Sequence, residues 1–454
     1  MDDTSRTTAP LEPTAQRTFA ITIRDKGFWL LVGLMTLIAV IAQSIGPIRI
    51  PLGSASIDLL PMIWAVLIAL IVSGQRWKPL PVDLQHSANV MVSVAVLLLV
   101  ARMSLTMGPN IPTIIAAGPA LLLQELGNLF GPILLALPLA VLLRMGPATV
   151  GATFSIDREA SFAMVVDRFG SNSPQYRGVL SMYVFGSVFG AIIVSIIASL
   201  TSSLGIFDWR ALAMGAGVGS GSMMAAGVGA VTAAHPEATD EIAALATTAN
   251  LIAGLAGVYI GVLVSLPLAD RFYRLLTRRR RTEDAAKPSG TLGTSQAAAV
   301  AAAVLDVPKV TLPLWNSLLV LCGASLVVVI VATRSFSWNM VITLGILAAF
   351  VAAGIGLSKL ARGKLPAIIV VITLGMLLTS PISPVAGWLV EVSSSVDFLA
   401  MITVMLAIAG LSMGKDLPML RQIGWKIIPV GIVVIGATFL TSTVIAEFVL
   451  RAIA

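Results

Sequence analysis

Charge is scarce in this chain. Only 11% of its 454 residues are Asp, Glu, Lys or Arg, against 57% that are hydrophobic. A water-soluble domain carries about 25% charged residues, because its surface faces water. The composition therefore excludes a globular soluble fold. Cysteine is almost missing: Cys322 alone permits neither an internal disulfide nor a cysteine metal cluster. His86 and His235 are too few and too separated for a zinc site. No Ser-His-Asp set, HExxH or comparable catalytic signature occurs. No enzyme, metal or cofactor is expected, apart from Na+ or H+ as a coupling ion. The formal charge of +7 fits basic cytoplasmic loops, and no nucleic-acid partner is expected.

What is present is apolar sequence in long runs, with 39 glycines and 24 prolines, both commoner in membrane helices than in soluble ones. Backbone inside lipid must satisfy its own hydrogen bonds, and continuous apolar runs do so as helices. Alternating ten-residue segments, the mark of a β-barrel, are not seen. A crossing needs about 20 apolar residues. Candidate spans cover residues 27–46, 59–73, 89–107, 112–130, 131–146, 178–200, 211–231 and 245–268, then 314–333, 340–357, 366–378, 398–413 and 427–450. The expected fold is all-α and polytopic, with about 12–13 transmembrane helices. The first run lacks a small-x-small cleavage site and is too long for a signal h-region.

Basic residues orient the spans. Arg76 and Lys78, then Arg271, Arg274 and the run from Arg278 to Arg281, then Lys359, Arg362 and Lys364, then Lys415, Arg421 and Lys426 all follow spans. Placing them in the cytoplasm puts the N-terminus inside and the C-terminus outside. One stretch resists: residues 147–177 are rich in charge yet fall outside by this count. Either a span is miscounted or part of this stretch folds back into the protein as broken helix, and the second is the expected resolution. The division expected is a cytoplasmic tail over 1–26, N-terminal scaffold spans over 27–107 and a core with broken helices over 108–270. A cytoplasmic linker over 271–311 and a five-span scaffold portion over 312–454 complete it.

An internal echo relates distant parts. Leu60-Pro61 and Leu365-Pro366 each open a span. Met91-Val92-Ser93-Val94 echoes Met401-Ile402-Thr403-Val404, and Met107-Gly108 matches Met413-Gly414. The paired segments run in opposite directions under the orientation above, as inverted repeats of transporters do.

Three segments interrupt the apolar pattern. In the first, Gly118-Pro119 breaks the run and Gln124, Glu125 and Asn128 follow. Residues 124 and 128 share a helix face, and an acidic residue within a span is a functional candidate by its cost. The competing reading is a structural pair or a helix-end carboxylate facing water. In the second, Thr153 and Ser155 lead into Asp157, Arg158 and Glu159. An arginine fork suits carboxylate or phosphate ligands, and an ordinary solvated loop is the alternative. The third, residues 215–227, holds Gly219, Ser220, Gly221 and Ser222 among further glycines. Each glycine costs a helix about 1 kcal/mol against alanine, so an unwound stretch with amides facing an anion is expected, unless close helix packing explains it. Asn250, in the following span, is expected to reach the same region.

The segments GPALLLQELGN, LLRMGPATVGATFSIDREASFAMVVDRFGSNSPQYRG and ALAMGAGVGSGSMMAAG resemble the DUF3100 family of bacterial membrane proteins, most strongly over residues 112–275. More loosely, Gly118-Pro119-Ala120, residues 150–156 and residues 219–227 are similar in order to segments of the LrgB/CidB family. That family's histidine and second glycine-threonine pair are replaced here by Ser222-Met223-Met224. The order also resembles the bile-acid-symporter fold, which implies inverted repeats with broken, crossing helices in a core that moves against a scaffold as an elevator. These resemblances imply a multi-pass protein of the bacterial inner membrane, expected as a homodimer. The expected activity is proton- or sodium-coupled transport of a small organic anion, a carboxylate or acylated amino acid. Gln124, Asn128, Thr153, Ser155, Arg158, Gly219, Ser220, Gly221, Ser222 and Asn250 would bind substrate, and Glu125, Asp157 and Glu159 would couple the ion. A holin-like export pore and a non-transporting membrane scaffold or sensor are the alternatives.

Overall fold

The computed structural model describes residues 18–20, 23–52, 55–75, 77–154, 160–169, 173–278, 309–362, 366–417 and 424–453. Ser155, Asp157, Arg158 and Glu159 lie outside the described residues, as do most of the expected tail and linker. Helices are numbered in chain order. They are α1 Lys26–Ile45, α2 Pro61–Gly74, α3 Val82–Met107, α4 Ile111–Ala116, α5 Gly118–Leu142, α6 Ala148–Thr153, α7 Ala160–Phe169, α8 Pro174–Ser203 and α9 Trp209–Ala216. Then come α10 Gly221–Ala234, α11 Thr239–Ile260, α12 Leu266–Thr277, α13 Leu314–Thr333, α14 Trp338–Leu360, α15 Ala367–Thr379, α16 Ala386–Ser394, α17 Phe398–Met413 and α18 Ile427–Ile453. A π-turn, Gly261–Ser265, joins α11 to α12. Two short ladders accompany them: β1 Thr18–Ala20 pairs parallel with β4 Lys309–Thr311, and β2 Ile48–Leu52 pairs antiparallel with β3 Ala55–Leu59.

Seven of the described helices (α1, α3, α5, α8, α13, α14 and α18) are long and apolar enough to cross a membrane alone. The pair α16–α17, bent by 64°, passes the same test together. Their outward faces are apolar: Leu122, Leu123, Leu126, Leu134 and Leu135 of α5 are exposed while Gln124 and Glu125 are buried. Leucine outside and carboxylate inside is the arrangement lipid demands and water forbids. The protein is an all-α, multi-pass membrane protein.

The helices pack as two groups. In one, α1, α2 and α3 pack with α13, α14, α15 and α17. In the other, α5 and α18 form the longest interface, with α6, α8, α9, α10 and α11 around them. Residues 312–454 are thus shared between the groups, with α18 on the side of α5. Contacts of α3 with α11 and of α10 with α17 join the two.

The internal echo has a physical counterpart in the first group. Each short helix of one repeat packs on the long helix of the other: α2 on α17, and α15 on α3. The glycines that close the echo sit at the matching crossings, Gly108 against Thr379 and Ser380, and Gly414 against Ser73. Both are places where backbones touch and a side chain would intrude.

Three expectations change. Residues 112–130 and 131–146 are not two spans but the short α4 followed by one helix, α5, which carries Pro132 and Pro138 inside it. Proline removes one ladder bond and need not end a helix when neighbours hold it. Here α18 comes in through Gly127 and Gly131, and the Thr441 hydroxyl donates to the Gly127 carbonyl at 2.7 Å. One fewer crossing changes the parity that set α6, α7 and the start of α8 on the opposite face from the basic loops. Consistently, Arg168 of α7 lies 3.8 Å from Asp270 of α12, and Lys426 donates to the carbonyl of Arg144 at 3.3 Å.

The third change concerns residues 211–231, which form a hairpin instead of a crossing. Helix α9 enters, the chain turns at residues 217–220, and α10 returns. The hairpin's outer ends, Asp208 and His235, are close enough to interact electrostatically. Asp208 caps α9, accepting from the backbone N–H of Arg210 at 2.8 Å, and pairs with the Arg210 side chain at 2.8 Å. The backbone N–H of Asp208 donates to Glu447 of α18 at 2.7 Å. The hydrogen bond from Arg210 is the chief cause holding the Asp208 carboxyl below its ordinary range. A depressed carboxyl stabilises the fold above its unfolded value, about 3.9, and the contribution is lost as pH falls through the folded value. Asp208→Ala is therefore expected to lower stability by about 1 kcal/mol at pH 7. The gap from wild type should close in melting scans run below about pH 4.

Candidate functional site

Helix α5 places three polar side chains in its buried stripe because they fall one to four residues apart. Glu125 accepts from Gln124 Nε2 at 2.6 Å on Oε1 and from Asn128 Nδ2 at 2.9 Å on Oε2. Gln124 is fully buried and Glu125 is 3% exposed. Two amide groups thus serve both carboxylate oxygens. Amides suit this position because each can present either an N–H or a C=O edge. The cluster accommodates the acid ionised or protonated.

The α9–α10 hairpin packs chiefly against α8, α11 and α18. Gly127 of α5 abuts α18 at Thr441, and Gly215 of α9 abuts it at Thr443, two residues on and so about 200° around that helix. Gly217 packs against Ala246 and Ala249 of α11. Gly219 has φ +87°, a left-handed conformation open to glycine and strained for other residues. From α11, Asn250 Nδ2 donates to the carbonyls of Gly217 at 2.7 Å and Gly219 at 3.1 Å. It satisfies the acceptors left where α9 ends. Ser220 begins α10, its Oγ accepting from Met223 N at 3.4 Å and lying 3.1 Å from the Ser222 hydroxyl. The first amides of α10 have no partner within their own helix, and Ser220, Gly221 and Ser222 are half-buried and reachable.

Removing the Asn250 amide takes one hydrogen bond from each of two buried carbonyls. Asn250→Ala is expected to cost about 1–3 kcal/mol, read as a lowered melting temperature of the detergent-purified protein. An unchanged melting temperature would mean that the turn does not depend on this side chain.

Gln124, Glu125 and Asn128 share one face of α5, and Asn250 of α11 holds the turn that carries Gly219 and Ser220. Gly221 and Ser222 continue from it. Thr153 is placed differently. Helix α6 packs across the first turns of α8, with Gly151 against Gln175 and Gly178 against Ala148, and the Thr153 hydroxyl donates to Thr149 O in its own helix.

Sequence reading passed over Arg102. It lies within an apolar run whose average hides one charge, yet it is only 7% exposed. An ionisable residue inside a span is itself the signal, and that rule, applied to every span, finds it.

Long helices with apolar exteriors, polar side chains turned inward and a hairpin broken at glycine define a polytopic α-helical membrane protein. Residues 40–275, over half of the chain, match the family described as protein of unknown function DUF3100. The chain belongs to that family. The match contains α5, the α9–α10 hairpin and α11. No curated protein and no solved structure matches the chain, so the likeness to LrgB/CidB and to bile-acid symporters rests on segment order alone.

Proposed function

We propose that the protein is a secondary transporter of a small organic anion, coupled to protons or sodium and working by an elevator-type movement of one helix group against the other. The observation that carries this reading is Glu125, an acid buried at 3% exposure within the lipid-crossing α5, whose two oxygens accept from Gln124 and Asn128. A carboxylate so placed is expensive in a membrane and marks an ion or proton path. The glycine turn between α9 and α10 supports a ligand role, since broken helices within a bundle bring backbone dipoles to a substrate. In this reading the α10 amides and Arg158 hold the anionic group, while Glu125 carries the coupling ion, with Asp157 and Glu159 as further carriers. The protein would sit in the bacterial inner membrane with its N-terminus in the cytoplasm, as a homodimer.

The test is thermal stability of the purified protein against acetate, lactate, succinate and N-acetylglycine, with and without sodium. A ligand that binds only the folded state raises its melting temperature by mass action. A selective shift that Arg158→Gln removes supports an anion transporter. No shift across the panel, with a cooperative melt, counts against it.

A further inference from the structure

A second polar site lies where the two helix groups meet. Arg102 lines a cavity of about 790 Å³, with Asn110, Thr232, Asp240 and Asp397 among its walls. These walls come from the end of α3, the α10–α11 corner and the start of α17, so both groups contribute. Arg102 is 7% exposed, and its Nε has no hydrogen-bond partner. Asp240 and Asp397 act on it electrostatically, but neither forms an ion pair with it among the described residues. The guanidinium is buried, charged and turned to a cavity.

The charges around the cavity restrict what fits. One arginine faces four carboxylates in the lining, Glu237, Asp240, Glu241 and Asp397. Glu237 lies 3.5 Å from His235. Asp397 uses Oδ1 to cap α17, accepting from Leu399 N at 2.7 Å and Ala400 N at 3.4 Å, which leaves Oδ2 available. A simple anion would find the arginine but also the surrounding carboxylates. A simple cation would find the carboxylates but also the arginine. A metal ion is disfavoured, because no three His, Cys, Asp or Glu side chains among the described residues are grouped to hold one. A molecule with both charges satisfies both ends, and the volume is that of a small-molecule site.

We propose that this cavity binds a small zwitterion of the amino-acid kind, its carboxylate on the Arg102 fork and its ammonium facing Asp240 and Asp397. The site goes beyond the one on α5 and stands whether or not that one moves solute.

The experiment compares β-alanine with its two halves, propionate and propylammonium, as stabilisers of the purified full-length protein at equal ionic strength. β-Alanine is expected to raise the melting temperature and neither half to do so. Arg102→Gln should weaken β-alanine binding about 10–100-fold, the loss of a charge-assisted contact. Asp397→Asn keeps a capping oxygen and should weaken it too, so the proposal remains testable if the arginine variant does not fold. Glu125→Gln should leave the shift intact. If it removes the shift instead, the ligand sits on α5 and the assignment to Arg102 is wrong. An equal shift with propionate or propylammonium alone, no shift with β-alanine, or a β-alanine shift unchanged in Arg102→Gln and Asp397→Asn would each overturn the proposal.

Discussion

Glu125→Gln is expected to abolish gradient-driven uptake in proteoliposomes while the protein stays folded. The side chain keeps its shape, and Gln124 and Asn128 can turn their amides to meet it. Removing a buried charge from an apolar helix does not weaken the fold in lipid. What disappears is the group proposed to gain and lose a proton or hold sodium. The separating measurement is substrate exchange without an ion gradient, using whichever carboxylate stabilises the wild type. Exchange that persists while ΔpH- or sodium-driven uptake vanishes assigns Glu125 to coupling. Full gradient-driven uptake by the variant would remove Glu125 from the mechanism and with it the main support for a coupled transporter.

The second large effect concerns packing, and two rules predict opposite signs for it. By helix propensity, Gly151→Ala in α6 should stabilise by about 1 kcal/mol. By packing, a Cβ at Gly151 would overlap the backbone carbonyl of Gln175, and a carbonyl cannot move aside as a flexible side chain can. Overpacking costs about 1–3 kcal/mol, occasionally more, and here the obstacle is main chain. Packing is expected to win, with a net loss of about 2 kcal/mol or more and a lower yield of folded protein. Gly323→Ala in α13 is the control, since nothing lies within 4 Å of its added Cβ, and it should be neutral or stabilising. If both variants melt alike, the α6–α8 contact is looser than the structure has it.

Much of the architecture is legible residue by residue. The scarcity of charge demands a membrane, and the apolar runs mark α1, α3, α8, α13, α14 and α18 closely. Gln124, Glu125 and Asn128 stand out because polar residues are conspicuous where lipid forbids them, and the glycine-rich stretch shows that some helix must break. The echo of Met107-Gly108 in Met413-Gly414 anticipates the reciprocal crossings at Thr379 and Ser73. What misleads is local too: Gly131-Pro132 reads as a boundary, and residues 211–231 read as a crossing of ordinary length.

Sequence by itself determined the solvent of this protein and the positions where polar groups must be sheltered, because hydropathy is a property of each residue and sums along the chain. Tertiary structure alone decided whether α5 continues through two prolines, whether α9 turns back into α10, and which carboxylates face Arg102. Each of those outcomes depends on partners far away in sequence. Thr441 lies against α5, Asn250 receives the carbonyls of the turn, and Asp397 shares a cavity with an arginine nearly three hundred residues earlier. A helix continues or reverses in lipid according to where its backbone groups find those partners, and that is settled only when the helices pack.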